Sequence, residues 1–312
     1  MKYNNKMIMA KLQPTVDTDP LPDGASACVT EDLDWTYYAG NDIERNRDRG
    51  YFGANSKTKV VPHTEFGFNV ELSQAAAAGT APSFGHLLRS CGFSETIDAA
   101  VDVVYAPVST GQEMIAVYFV DDNEQEQKSL NCRGSFSVQM DAETLPMIQL
   151  TSFMGTYTRP VAAAAYTVDT SAWEDAVPIS KGNTVALTID GYAGCVNSFN
   201  FDVGNTVNVH DEPNCAGTSI SGRSVTGTIV IEAPTLATKD FFAIIESHSG
   251  SVNKVVIAVE HGDSTRPNLK VDMASVQLND ITRTDVRGEL YYTIPFTALP
   301  SDAGNDEVIL TF

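Results

Sequence analysis

Polar and apolar residues alternate along much of this chain. In "EFGFNVELS", Phe66, Phe68, Val70 and Leu72 alternate with Gly67, Asn69, Glu71 and Ser73, the period of two expected of a half-buried strand. Further strand-like runs cover "MIAVYFV" (114–120), "GSFSVQM" (134–140) and "MIQLTSF" (147–153). One stretch between the first two runs breaks the pattern. "PSFGHLLRSCG" puts Phe84, Leu87, Leu88 and Cys91 at i, i+3, i+4 and i+7, one apolar face of a helix. Pro82 and Ser83 give it a start signal and Gly92 a stop.

The second part of the chain repeats that order. "SVTGTIVIEAP" places Val225, Ile229 and Ile231 on one face of a strand. "TKDFFAIIESHSG" then sets Phe241, Ile244, Ile245 and His248 at the same helical spacing. Phe84 and Phe241 lie 157 positions apart. Strand-like runs follow again at 254–260, 271–278, 289–296 and 307–312. Matched order on both sides of a helix is better explained by duplication than by chance likeness of two amphipathic helices. Short alternating strands joined by turns predict a mainly β fold of antiparallel sandwiches or partial barrels, each carrying one packed helix. The chain divides accordingly into an N-terminal arm or extended segment (1–48), a first domain (49–158), a connector (159–183) and a second domain (184–312).

Composition narrows the function. The 312 residues are 43% hydrophobic and 19% charged, enough apolar material for a large core. With 40 acidic against 20 basic residues the formal net charge is −20, which repels phosphate and argues against tight nucleic-acid binding. The apolar run at the start is too short for a signal peptide, and no run is long enough to span a membrane as a helix. Five cysteines, at 28, 91, 132, 195 and 215, include no CxxC pair. That pattern suits thiols used as small hydrophobes in a reducing cytoplasm rather than structural disulfides.

The candidate chemistry is thin. His86 and Cys91 lie five apart on different parts of the helix surface, so Cys91 reads as core filler, and no Asp or Asn completes a Cys/His pair. His248, at the matching position of the second helix, reads as a packing residue too. His210, Asp211, Glu212 and Cys215 fit no tetrahedral metal spacing, and "VHDEPNCAGTS" reads as a loop. "DDNEQE" (121–126) resembles a calcium loop only at its start: its sixth residue is Glu126 rather than Gly, and its twelfth Cys132 rather than Glu. It reads as a solvated acidic loop. No GxSxG, phosphate-cradling glycine loop or HExxH is present. No catalytic, cofactor-binding or metal residue is therefore assigned, and no cofactor is expected.

Several segments together resemble the tail tube (major tail) proteins of long-tailed, non-contractile, siphovirus-type bacteriophages. They are "IERNRDRGYFGA", "FNVELS", "GTAPSFGHLLRSCGFSET" and "RGSFSVQM" with "LPMIQLTSFMGTY" in the first part. In the second they are "NSFNFDVGNTVNV", "ISGRSVTGTIVIEAPTLATKDFFAI" and "ALPSDAGNDEVILTF". The likeness runs from about residue 43 onward. It implies two tail-tube-like domains whose strands join a continuous barrel in an assembled ring, with a helix outside it. It also implies a structural, non-enzymatic subunit made in the host bacterial cytoplasm and residing in the virion tail. Rings would stack into a conduit for double-stranded DNA, which passes without specific binding. The expected partners are copies of itself, a tape measure protein, and tail terminator and distal tail proteins. Two domains per chain would make the ring a trimer with pseudo-sixfold symmetry. The polar segments 1–48 and 121–131 are read as arms or loops between rings.

Two other classes compete. A virion β-sandwich module that binds receptor or glycan would usually carry a Trp/Tyr platform, and only Trp35 to Tyr38 resembles one. A wall-degrading hydrolase would need paired carboxylates, which chance supplies in so acidic a chain.

Overall fold

The computed structural model describes residues 2, 4–250, 253–263 and 265–312. The fold is mainly β. In the first part the elements are β1 (Lys6–Leu12), β2 (Glu31–Glu44), β3 (Lys57–Glu71), α1 (Gly85–Ser90), β4 (Phe93–Asp98), β5 (Asp102–Pro107), β6 (Ile115–Asp121), β7 (Gln125–Asp141), β8 (Met147–Tyr157) and β9 (Val161–Ala162). The second part holds β10 (Thr184–Ile189), β11 (Val196–Asp202), β12 (Thr206–Glu212), β13 (Cys215–Gly222), β14 (Thr226–Glu232) and α2 (Phe241–Glu246). It continues with β15 (Lys254–His261), β16 (Leu269–Leu278), β17 (Thr282–Val286), β18 (Glu289–Ala298) and β19 (Ile309–Thr311). Hydrogen bonds link seventeen of these strands into one sheet system, and β12 and β13 form a separate hairpin.

The pairing network recurs along the chain. In the first part β1 pairs with β6, β6 with β7, β7 with β8, β8 with β3, and β3 with β2. In the second, β10 pairs with β15, β15 with β16, β16 and β17 with β18, β18 with β14, and β14 with β11. The short strand after each final hairpin also corresponds: β9 returns to β7, and β19 to β16. All these pairs are antiparallel. Long β7 therefore matches β16 and β17 taken together. It is bent by irregularities on either side of Arg133, where Asn131 has a φ of 57°. At the bend Gly134 leaves room for the Phe153 ring, which would lie 2.1 Å from a Cβ there.

Helix α1 forms where the apolar spacing predicts. Phe84 is its N-cap residue and Cys91 its C-cap, and Gly92, at φ 80°, ends it in the left-handed region. Phe84, Leu87, Leu88 and Cys91 are at most 1% exposed. Burying each large aliphatic side chain contributes about 1.5–3 kcal/mol, more than so short a helix gains from propensity. α2 is shorter than the pattern suggests. Asp240 caps it, its side chain accepting from the Ala243 amide at 3.0 Å, and Ser247 is already extended. His248 consequently lies beyond the helix and is exposed, so it packs nothing; spacing alone does not continue a helix past a residue whose backbone has left it.

Other local expectations are corrected. Residues 121–131 form no bridging loop, because a turn at 121–124 leads directly into β7. Glu126 in this strand is 4% exposed and accepts from the Tyr166 hydroxyl, so of "DDNEQE" only the turn at 122–124, with Asn123 and Glu124 exposed, is solvated. The "VHDEPNCAGTS" segment is not a loop either, since His210 pairs with Gly217 and Glu212 with Cys215 in the β12–β13 hairpin. Within the N-terminal segment, β1 pairs along its length with β6, and Ile8 and Met9 are fully buried. What projects is the ribbon formed by the far ends of β2 and β3, with Tyr51 and Phe52 exposed at its tip.

Candidate assembly surfaces

Two joins hold the parts of the chain together, and both are extensions of a sheet. The first is β11 against the C-terminal half of β7, with Phe201 opposite Val138 and Phe199 opposite Met140. Phe136, Val138, Phe199 and Phe201 are at most 1% exposed. Asn205 fastens the turn after β11, donating from Nδ2 to the carbonyls of Cys91 at 2.7 Å and Gly134 at 3.0 Å. Beyond it the β12–β13 hairpin lies across β7 and β8. Arg133 donates to the Thr218 carbonyl at 2.6 Å, and the Thr218 hydroxyl to the Asn131 carbonyl. The second join is β19, which lies between β16 and β5. Phe312 and Val103 exchange backbone hydrogen bonds of 2.9 and 2.8 Å, and the Phe312 ring packs edge-on against Phe84 and Tyr105.

The first join makes one continuous sheet in the order β2-β3-β8-β7-β11-β14-β18-β17. Its two faces differ sharply because side chains alternate. One face supplies the core. On the other, Gln139 faces Asn200, Asn200 faces Thr228, and Thr228 faces Pro295 across successive strands. Gln149 donates from Nε2 to Gln139 Oε1 at 3.1 Å, and Asn69 from Nδ2 to Asp32 Oδ2 at 3.2 Å. Asp34, Glu71, Asp202 and Glu232 add negative charge. The alternate positions of this face on β8, β11, β14 and β18, and from Ser135 onward on β7, hold no lysine or arginine. Chemically these central strands present a ladder of amides and hydroxyls with carboxylates and no lysine or arginine: the surface is wettable and repels phosphate.

The residues considered for chemistry are dispersed. Cys91 is fully buried, and burial pushes its thiol far above the usual range. His86 meets a different cysteine, with Nε2 3.8 Å from Cys28 Sγ. Sequence spacing missed this pair because 58 residues separate its members. Burial pushes the Cys28 thiol up to about 12 and the His86 imidazole down to about 4. Both groups are thus neutral near pH 7, whereas a nucleophilic pair needs a thiolate. Cys195 and Cys215 are exposed. Among the described residues no group of three or more His, Cys, Asp or Glu is placed to hold a metal ion, and no helix is long and apolar enough to cross a membrane.

No curated protein matches the chain. A family model described as phage tail tube protein matches residues 17–309.

Proposed function

The chain belongs to the phage tail tube protein family, and from that premise we propose that it is the subunit of a self-assembling, siphovirus-type tail tube. Its role is structural and its place is the virion tail. Rings of the subunit stack into the hollow conduit through which double-stranded DNA leaves the capsid, and the chain performs no catalysis. Before assembly it resides in the host bacterial cytoplasm. A tape measure protein and tail terminator and distal tail proteins set the length and ends of the tube.

The observation that carries this reading is the polar face of the central strands β8, β7, β11, β14 and β18, whose alternate positions hold no lysine or arginine from Ser135 onward on β7. Turned toward the lumen, it gives DNA a surface of the same charge sign, which suppresses the phosphate binding that would stall passage. The recurring strand network supports two tail-tube-like domains per chain, divided as 49–158 and 184–312 by the connector 159–183. Three chains then supply six quasi-equivalent domains to a ring, and heterologous stacking of rings yields an open filament.

Electron microscopy of the purified full-length chain tests this directly. Hollow striated tubes with three chains per ring are expected. Stable monomers under every assembly condition would overturn the tube reading, and six chains per ring would overturn the two-domain one.

A further inference from the structure

The join between β7 and β11 has an unfilled counterpart. By position in the pairing network, β2 corresponds to β11: each is the last strand of its part's network, held by β3 in one case and β14 in the other. Likewise β17 corresponds to the C-terminal half of β7: each leads by a hairpin into its partner strand, β18 or β8. Yet β11 adds to β7 within the chain, whereas among the described residues β2 pairs only with β3 and β17 only with β18. We propose that β2 of one chain adds, antiparallel, to β17 of a second copy, repeating between chains the join that β11 makes with β7 inside one. The proposal rests on the tube reading and names the strands that close its ring.

Three observations choose this occupant. Asp32, Asp34 and Thr36 on β2, and Thr282, Arg283 and Asp285 on β17, are exposed, so both strands are accessible. Unpaired edges are templates for pairing, and native proteins guard them until needed. The Leu33 carbonyl is met by a lysine side chain, Lys6 Nζ, rather than by a strand. Charge also agrees with the direction. The start of β2 is acidic, and antiparallel pairing lays it along β17, whose second residue is Arg283 and which Arg287, paired with Glu143, follows.

The template extends past the edge. In the chain, the β12–β13 hairpin follows β11 and lies on β7 and β8. The ribbon of β2 and β3 stands in the corresponding place and carries exposed Tyr37, Tyr38 and Ile43. In the assembly it lies across the next copy's β17 and β18, which covers these side chains.

Cysteine cross-linking reads the seam. In a Cys195→Ser, Cys215→Ser background, Thr36→Cys is combined with Asp280→Cys, Thr282→Cys or Thr284→Cys, and separately with Val185→Cys on the open edge of β10. Mild oxidation of assembled tubes is expected to give covalent oligomers no larger than one ring from the β17 series, strongest at Thr282, and none from Val185. Tubes that form without a β17 link, or that link at Val185, overturn the seam and leave the tube reading intact. Hydrogen exchange on the unaltered chain gives a second readout. Amides of 31–36 and 282–286 are expected to slow together by at least about tenfold on assembly. Unchanged exchange there overturns the seam, and an unaltered chain that forms no tubes defeats the functional reading instead.

Discussion

Arg223 and Glu307 form an ion pair, Nε to Oε1 at 2.5 Å, with side chains only 11% and 9% exposed. The same guanidinium donates to the Val108 carbonyl and to Asn305, both at 3.2 Å. One side chain thereby ties the segment before β14 to the segment before β19 and to the loop after β5. Removing one partner of such a pair leaves an uncompensated buried charge, which costs about 3–5 kcal/mol. Arg223→Ala is expected to lower the unfolding free energy from denaturant titration by that amount, and Glu307→Gln by less, because a neutral amide remains hydrogen-bonded. Equal effects would show that the charge is already screened by water.

Acidification below pH 6.5 should destabilise the fold through two buried histidines. His261 is 1% exposed, donates from Nε2 to the Val177 carbonyl at 3.0 Å and accepts at Nδ1 from Thr184. Burial holds it below its ordinary value of 6.5, and burial holds His86 down to about 4. Well above pH 6.5 both are neutral in either state and contribute no slope. Below it the unfolded chain takes up protons that the folded chain refuses, so stability falls by at most about 1.4 kcal/mol per pH unit for each histidine. Melting curves from pH 7 to 5 are expected to show that loss. His86→Gln should reduce it between pH 6.5 and about 4.

The thiols should divide into two classes. Cys28, Cys91 and Cys132 are buried and burial raises their thiols, while Cys195, whose thiol is raised by its hydrogen bond to Glu232, and Cys215 are exposed. Reaction of the folded subunit with a disulfide reagent should titrate two thiols promptly and all five only in denaturant.

The bend in β7 depends on Gly134. A Cβ there would lie within 2.1–2.5 Å of three carbon atoms of the Phe153 ring. Gly134→Ala should therefore cost about 1–3 kcal/mol by overpacking. Gly134→Ala with Phe153→Leu should recover part of it, as read by thermal unfolding.

The polar face gives a functional prediction. Gln139 and Asn200 are opposite each other across the β7–β11 join and point away from the core. Gln139→Lys with Asn200→Lys should leave melting and tube formation near those of the unaltered chain. Phage carrying the double variant should eject DNA more slowly, with the delay relieved by added salt.

The alternation at 66–72, the helix at Phe84–Cys91 and its echo at Phe241 were legible because each records which face of a local element is buried, a periodicity of two or 3.6. Where local signals compete, the pattern misled. "DDNEQE" looks solvated because its residues are polar, but tertiary packing buries Glu126 against Tyr166. "VHDEPNCAGTS" lacks clear alternation, so its hairpin was not readable. The apolar periodicity through His248 was real, but the backbone had already turned at Ser247.

By itself, then, the sequence determined the strand-rich class, the two helices, the matched order of the chain's parts, and a formal net charge of −20. Only the tertiary structure decided which strands meet. It set β11 beside β7 rather than beside β10, drew Cys28 to His86, and, among the described residues, gave β2 and β17 one partner strand each. The physical reason is that periodicity states which side of a strand is wet and is silent about its hydrogen-bonding edges. Those edges are backbone, nearly the same for every residue, and their partners are chosen only when the whole chain packs.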